Sequence, residues 1–240
     1  MRRHRYLGII PARGGSKRIP RKNLQPLAGR PLLDYTIEAA KSARRLEHIV
    51  VSTDSVEIAE FAQSLGIGTQ GLRPARFAQD DSPMIFALQD ALARYEGVNQ
   101  PVDAVVLLQP TSPFRAACHI DSAIEQFEQN GADTLIAVRR ATEHPYWTWR
   151  DGPDGIVPFH SYAEIAVERS DLPAAYVENG AIYIIARSLV SAGKIYGKKI
   201  TPYLMDDFAS IDIDTPEDMF WAEFMLSRRT GSSKTGEPAR

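Results

Sequence analysis

Two hydrophobic rhythms alternate along this chain. Short apolar stretches at residues 7–10 and 104–108, and Ile49-Val50-Val51 within 48–53, have the pattern of strands buried on both faces. Between them come helical patterns. One covers residues 31–43, with Pro31 suited to a first helical turn. A second follows Asp54-Ser55-Val56-Glu57, which resembles a capping box, and runs to Leu65. A third opens at Ser82-Pro83 and runs to Tyr95, and a fourth covers 120–127. Strand character returns at 134–138 and 181–185, and a last helix is expected from Thr215-Pro216 to about Leu226. Repeated strand–helix units of this length predict an α/β fold, a mostly parallel sheet covered by helices. The rhythm breaks between Arg139 and Pro173, where Tyr146, Trp147 and Trp149 precede the turn-rich Asp151-Gly152-Pro153-Asp154-Gly155. An inserted hairpin or arm is expected at 139–173, and a frayed polar tail at 227–240.

The first strand runs into Ile10-Pro11-Ala12-Arg13-Gly14-Gly15-Ser16-Lys17-Arg18-Ile19-Pro20-Arg21-Lys22-Asn23. Glycines let a backbone approach a ligand and turn its N–H groups toward it. Arg supplies a planar donor fork and Lys a point charge for phosphate oxygens. The loop therefore suits a nucleoside triphosphate, although neither the Walker spacing nor G-x-G-x-x-G is present. A solvated basic turn is the alternative. Near the other end stands Asp212-Ile213-Asp214. Residues two apart on extended chain share a face, so two carboxylates converge and repel unless a cation or proton lies between them. Such oxygens suit Mg²⁺; two surface acids at a helix N-terminus are the plainer reading. Leu107-Leu108-Gln109-Pro110-Thr111-Ser112-Pro113-Phe114-Arg115 ends a strand where open α/β sheets place ligands, and Gln109 can donate and accept there. Asn179-Gly180, before a strand, is equally a ligand contact or a turn.

Charge sharpens this picture. Residues 1–33 hold nine Lys/Arg and no acid, while the rest carries 19 basic and 30 acidic residues, a balance of −11. That distribution favours a local anion site over a nucleic-acid surface. A chain of 240 residues with 44% hydrophobic content fits one domain. The lone Cys118 excludes an intrachain disulfide and suits a reducing, cytoplasmic setting. No run has the length of a membrane span, and the apolar stretch after the basic start ends at Ile10, too soon for a signal peptide. The five histidines have no metal-ligand spacing.

Over residues 6–226 the chain resembles the acylneuraminate cytidylyltransferases, the CMP-sialic acid synthetases. The resemblance rests on residues 10–17, Lys22-Asn23, Ser52-Thr53-Asp54, Arg73-Pro74, residues 108–113, Asn179-Gly180-Ala181-Ile182-Tyr183, and Asp212-Ile213-Asp214-Thr215-Pro216-Glu217-Asp218. It implies a three-layer Rossmann-like nucleotidyltransferase fold over 1–226. The implied reaction moves CMP from CTP to the anomeric hydroxyl of a 2-keto-3-deoxy sugar acid and releases pyrophosphate. It also implies roles. Ala12, Arg13, Gly14, Ser16, Lys22, Asn23, Arg73 and Asp80 would bind the nucleotide. Gln109, Arg169, Asn179 and Tyr183 would bind the sugar. Asp212 and Asp214 would hold Mg²⁺, and Arg13, Lys22 and Asp212 would carry the catalytic work. The 139–173 arm would make a homodimer, reaching the partner's sugar pocket. Several positions depart from the sialic-acid pattern. Arg18 and Arg21 stand where many members have glycine, within a run shared with pseudaminic-acid cytidylyltransferases. Ser170 replaces a glutamine, and Gln79-Asp80-Asp81-Ser82-Pro83 differs from the usual nucleotide segment. The residues at 109–112 match the sialic or legionaminic branch. The alternatives are a nucleotidyltransferase for pseudaminic acid or a sugar 1-phosphate, and a non-catalytic nucleotide-sugar-binding protein.

Overall fold

A computed structural model of the chain describes residues 4–232. Its strands are β1 (Tyr6–Pro11), β2 (Pro26–Leu27), β3 (Arg30–Pro31), β4 (His48–Ser52), β5 (Ala104–Leu107), β6 (Thr134–Arg140), β7 (Trp149–Gly152), β8 (Gly155–Pro158), β9 (Tyr176–Ala186) and β10 (Ile200–Leu204). Its α-helices are α1 (Leu32–Ser42), α2 (Val56–Ser64), α3 (Met84–Glu96), α4 (Ala117–Asn130), α5 (Tyr162–Ile165), α6 (Arg187–Ser191) and α7 (Pro216–Ser232). A six-stranded sheet runs β10-β6-β9-β5-β1-β4. Only β9 is antiparallel to its neighbours, so the expected parallel sheet carries one reversed strand.

The apolar runs predicted as strands are buried on both faces. Ile10, Val106 and Ile184 pack with Leu33, Ile37, Ile58 and Ile124 on one side. Leu7, Ile9, Val105 and Ile185 pack with Ile85, Leu88 and Val190 on the other. These two apolar layers are the three-layer sandwich that the alternation of elements requires. At its far edge Glu96, ending α3, takes two hydrogen bonds of 2.7 Å from the Arg187 guanidinium. That donation pulls the Glu96 carboxyl below its ordinary value against an opposing desolvation. A depressed carboxyl stabilises the fold above the unfolded value near 4.5 and loses that effect as pH falls through the folded one. Arg187 is 41% exposed, so screening holds the pair to about 1 kcal/mol. Glu96→Gln is therefore expected to lower Tm at pH 7 by about 2–4 °C. The difference should vanish by about pH 3 in calorimetric scans.

Local departures from the sequence reading have local causes. Ser55, not Asp54, caps α2, its side chain accepting from the Ile58 N–H, because Asp54 is engaged elsewhere. Pro31 and Pro83 sit one position before their helices rather than in the first turn. The last helix continues past Leu226 to Ser232, where Ser227 Oγ donates to the Phe224 carbonyl and Arg229 covers the Phe208 ring. The expected tail thus begins as helix, and its residues 233–240 lie outside those described. β10 and α6 were not anticipated; Pro202 in the middle of the five-residue β10 hid the first. The irregular 139–173 region does contain a hairpin, β7 paired antiparallel to β8. No helix among the described residues is long and apolar enough to cross a membrane.

Candidate active site

Two distant segments meet because of their isoleucines. Ile19 from the basic loop and Ile213 from the acidic triplet are buried together with Leu27, Leu32 and Ala222. Anchoring Ile213 turns its flanking carboxylates away from that cluster. Lys22 then ties the segments, its Nζ donating to the Ile213 carbonyl at 3.0 Å and to Asp214 Oδ1 at 2.9 Å. A cleft of about 210 Å³ opens here, lined by Arg13, Gly15, Ser16, Lys22, Asn23 and Arg73, together with Gln109, Thr111 and Asp214. A larger cavity of about 410 Å³, lined by Tyr35, Phe114, Phe208 and Arg229, includes none of the predicted site residues.

The loop is held rigidly. Ala12, fully buried, extends the β1–β4 ladder by donating to the Ser52 carbonyl at 2.9 Å. The Gly14 N–H donates to Asp54 Oδ1 at 2.9 Å, and Asn23 Nδ2 donates to the Arg13 carbonyl at 2.9 Å. The Gly14 N–H is thus spent inside the protein rather than turned toward a ligand, a correction to its expected use. Its missing side chain still matters, because a Cβ there would stand 2.9 Å from Ser55 Cβ. Gly14→Ala should push the loop off α2 and break the Asp54 contact. A loss of at least about tenfold in CTP affinity is expected by calorimetric titration, since every 1.4 kcal/mol is tenfold.

Every cation of the loop has an internal carboxylate. Asp80 pairs with both Arg13 and Lys17, the latter at 2.6 Å. Asp214 lies 2.9 Å from Lys22 and 3.8 Å from Arg18, and Arg21 pairs with Glu57. Five cations therefore face three carboxylates, leaving an excess of two positive charges. Lys17 and Arg13 hold the Asp80 carboxyl below its ordinary range. Asp80 thus serves in the free chain as the counter-anion of Arg13, which the resemblance assigns to the nucleotide. Arg73 differs from the loop cations. Its side chain is 5% exposed, its nearest acid oxygen is Asp54 Oδ1 at 4.0 Å, and its Nε has no partner. Desolvation lowers its pKa, opposed by Asp54. A buried guanidinium with an unmade hydrogen bond lining a cleft is poised for a neutral carbonyl or a phosphate oxygen.

On the other side, Gln109 is half-buried and lines the cleft. Asn179 does not precede its strand as a turn but lies inside β9, where the register with β6 shifts between Ile136 and Val138. Its amide is engaged at both ends, Nδ2 donating to Ser210 Oγ at 2.9 Å and Oδ1 accepting from the Ala181 N–H at 3.1 Å. Gly180 beside it takes φ +74°, a left-handed backbone that a side chain would strain. The Tyr183 hydroxyl donates to Glu178 Oε2 at 2.8 Å. Burial, then this carboxylate, raises its pKa. Arg169 stands outside the cleft of its own chain, on the arm, 5.9 Å from the Trp147 ring centre.

Asp212 is open to solvent yet set in a recess, and desolvation raises its carboxyl above the ordinary range. A bond from Thr111 opposes the rise, whereas the neighbouring Asp214 adds to it. Its atom Oδ1 lies 3.8 Å from where a Gly180 Cβ would be. No group of three or more His, Cys, Asp or Glu capable of holding a metal occurs among the described residues. The pair alone still fits Mg²⁺, which keeps several waters and takes one or two carboxylates plus substrate phosphates. Two residues that build the site were not singled out for it: Asp54, which orders the loop, and Thr111, whose carbonyl accepts from the Ile213 N–H at 2.8 Å. Both lie in quoted motifs, but a capping pattern and a strand-end turn explained them locally.

Residues 7–227 match the Cytidylyltransferase family. The chain is 38% identical over 221 residues to a CMP-N,N'-diacetyllegionaminic acid synthase of Legionella pneumophila, covering 91% of this chain and 94% of that protein. It is 32% identical to a pseudaminic acid cytidylyltransferase of Campylobacter jejuni over 91% of this chain and 95% of that one. In fold it is similar to a CMP:2-keto-3-deoxy-manno-octonic acid synthetase solved with CTP. The TM-score is 0.70 at 14% identity, with 94% of this chain and 99% of that one covered. With the family matched over nearly its whole length and relatives of this similarity, the chain belongs to the cytidylyltransferases.

Proposed function

We propose that the protein is a CMP-nonulosonate synthetase. It transfers CMP from CTP to the anomeric hydroxyl of a sialic-acid-like nine-carbon sugar acid. The observation that carries this reading is the Lys22 bridge, which fixes the basic loop against Asp214 across one cleft, with Asp212 two residues away on the same segment. In the reaction the anomeric oxygen bonds to the α-phosphorus, the bond from that phosphorus to the bridging oxygen breaks, and pyrophosphate leaves with its electron pair. The hydroxyl proton passes to solvent or a carboxylate. Arg13 and Lys17 exchange Asp80 for triphosphate oxygens and neutralise the charge that gathers on the leaving group. Lys22 and Ser16 hold the same chain of phosphates, and Asn23 keeps Arg13 in place through its carbonyl. Arg73 offers its unmade bond to the nucleotide. Gln109, with its amide free to donate and accept, orients the sugar acid.

Asp212 and Asp214 would hold Mg²⁺, which neutralises phosphate charge and acidifies a hydroxyl when bound. The raised Asp212 carboxyl, pressed by Asp214, supports this, because a cation relieves that pressure. The arm supports a homodimer. Trp147 and Trp149 are 37% and 44% exposed in the single chain, and Arg169 beside Trp147 would meet the partner's sugar carboxylate. The single cysteine, Cys118, supports a cytoplasmic location.

The test is pyrophosphate release from CTP and Mg²⁺ with legionaminic, N-acetylneuraminic and pseudaminic acids in turn. Release that depends on one of these acids is expected. Silence on all three, or release with a sugar 1-phosphate instead, would overturn the assignment.

A further inference from the structure

Arg115 is among the most deeply buried side chains of the molecule, 2% exposed, and no ion pair holds it among the described residues. An isolated interior charge is costly, and apolar residues usually replace one without loss. Its Nη1 donates to the Ala181 carbonyl at 2.8 Å and to the Gln109 carbonyl at 3.2 Å, while Nε and Nη2 have no partner. The place of those two carbonyls explains the charge. β5 pairs with β9 as far as Leu107 opposite Tyr183. Two residues further in the same antiparallel register, Gln109 would stand opposite Ala181. The ladder stops short of that point, and the guanidinium takes both carbonyls in place of the missing strand hydrogen bonds. Ser112 Oγ closes the same gap from the turn, donating to the Asn179 carbonyl at 3.3 Å. Beyond the gap the Gln109 amide oxygen lies 3.8 Å from the position of a Gly180 Cβ, and Ser112 Oγ 3.6 Å from it.

We propose that Arg115 is a positioning residue, a wedge that holds the ends of β5 and β9 apart and thereby sets where the Gln109 side chain meets the acceptor sugar acid. The wedge itself is a statement about two strand ends; its kinetic consequence rests on the synthetase reading above. Desolvation, which lowers the Arg115 pKa to about 9, is the strain that an apolar side chain would avoid at that place. Only a donor can hold two carbonyls that have lost their ladder partners. An acceptor-side wedge should leave the nucleotide side untouched, because the loop from Arg13 to Asn23 is braced by Asp54, Asp80 and Asp214 instead.

The experiment compares wild type, Arg115→Met and Arg115→Lys. Backbone hydrogen exchange in residues 107–112 and 179–183 should quicken at least fivefold in the Met variant. The kcat/KM for the sugar acid should fall at least tenfold, with the CTP dissociation constant within threefold of wild type. The Lys variant, keeping a donor at the gap, should recover at least half of the loss on a logarithmic scale. Unchanged exchange in both segments overturns the wedge, as does an equal fall in the acid and CTP parameters. If the Met variant does not fold, Arg115→Gln, whose shorter side chain cannot reach both carbonyls, is read in its place. Faster exchange with an acid-only loss of threefold or more supports the wedge, and wild-type behaviour in both removes it. Absence of acid-dependent pyrophosphate release in wild type would sink the synthetase reading, while the exchange data would still decide the wedge.

Discussion

Asp212→Asn is expected to cut CMP transfer by at least about 10²–10³-fold, the usual cost of removing one group that stabilises transition-state charge. The fold should not suffer. The Asp212 carboxyl is raised chiefly by desolvation, so its ionised form opposes folding at neutral pH. A raised carboxyl contributes stability below its unfolded value, near 3.8, and loses it as pH rises through the folded value. Asparagine does not titrate and can still accept from Thr111. At pH 7 the variant free of ligand should therefore melt no lower than wild type, and at pH 3 the two should differ in the opposite sense or not at all. Steady-state turnover and pH-dependent melting check the two halves separately. Near-normal turnover would remove Asp212 from the site, and a clear fall in Tm at pH 7 would show that its charge stabilises the fold.

Which parts of this molecule were legible in sequence depended on whether their cause was local or distant. The strands β1, β4 and β5 announced themselves because burial on both faces demands unbroken apolar runs such as Ile49-Val50-Val51. The basic loop and the acidic triplet were visible because charge so dense in so few residues has few structural uses. That they share one pocket was expected from their chemistry; the contact that brings them together was not visible, since it depends on Ile19 and Ile213 entering one small cluster from positions 194 residues apart. Long-range pairing hid other features too. Asp54 looked like a helix cap, and Ser55 took that task while Asp54 ordered Gly14. Asn179-Gly180 looked like a turn because a bulge inside a strand uses the same residue types. Arg115 carried no signal of its own in the sequence, and only the register of β5 on β9 shows why it is buried.

Lys22→Met is the second substitution expected to be severe, with turnover reduced about 10²–10³-fold, the scale of one lost charge-stabilising donor. Its side chain has two separable duties: it bridges the basic loop to the Ile213 carbonyl and Asp214, and its charge faces the cleft. Methionine keeps the length of the stem and loses both. Among the described residues, Asp214 then keeps only Arg18, at 3.8 Å, to offset its charge beside Asp212, and like charges in one recess weaken the local structure. The double variant Lys22→Met with Asp214→Asn separates the duties, because it removes the stranded carboxylate along with the lysine. If Lys22 serves only to pair Asp214, the double variant should regain most of its melting temperature and its turnover together. If Lys22 also holds triphosphate, stability should return while turnover and the shift in Tm produced by saturating CTP stay low. The second pattern is expected, because Lys22 is, among the described residues, the one cation that both lines the cleft and touches the acidic segment at hydrogen-bond distance. Arginine at this position should not rescue it, since a planar fork cannot take a carbonyl and a carboxylate from the place of a single ammonium group.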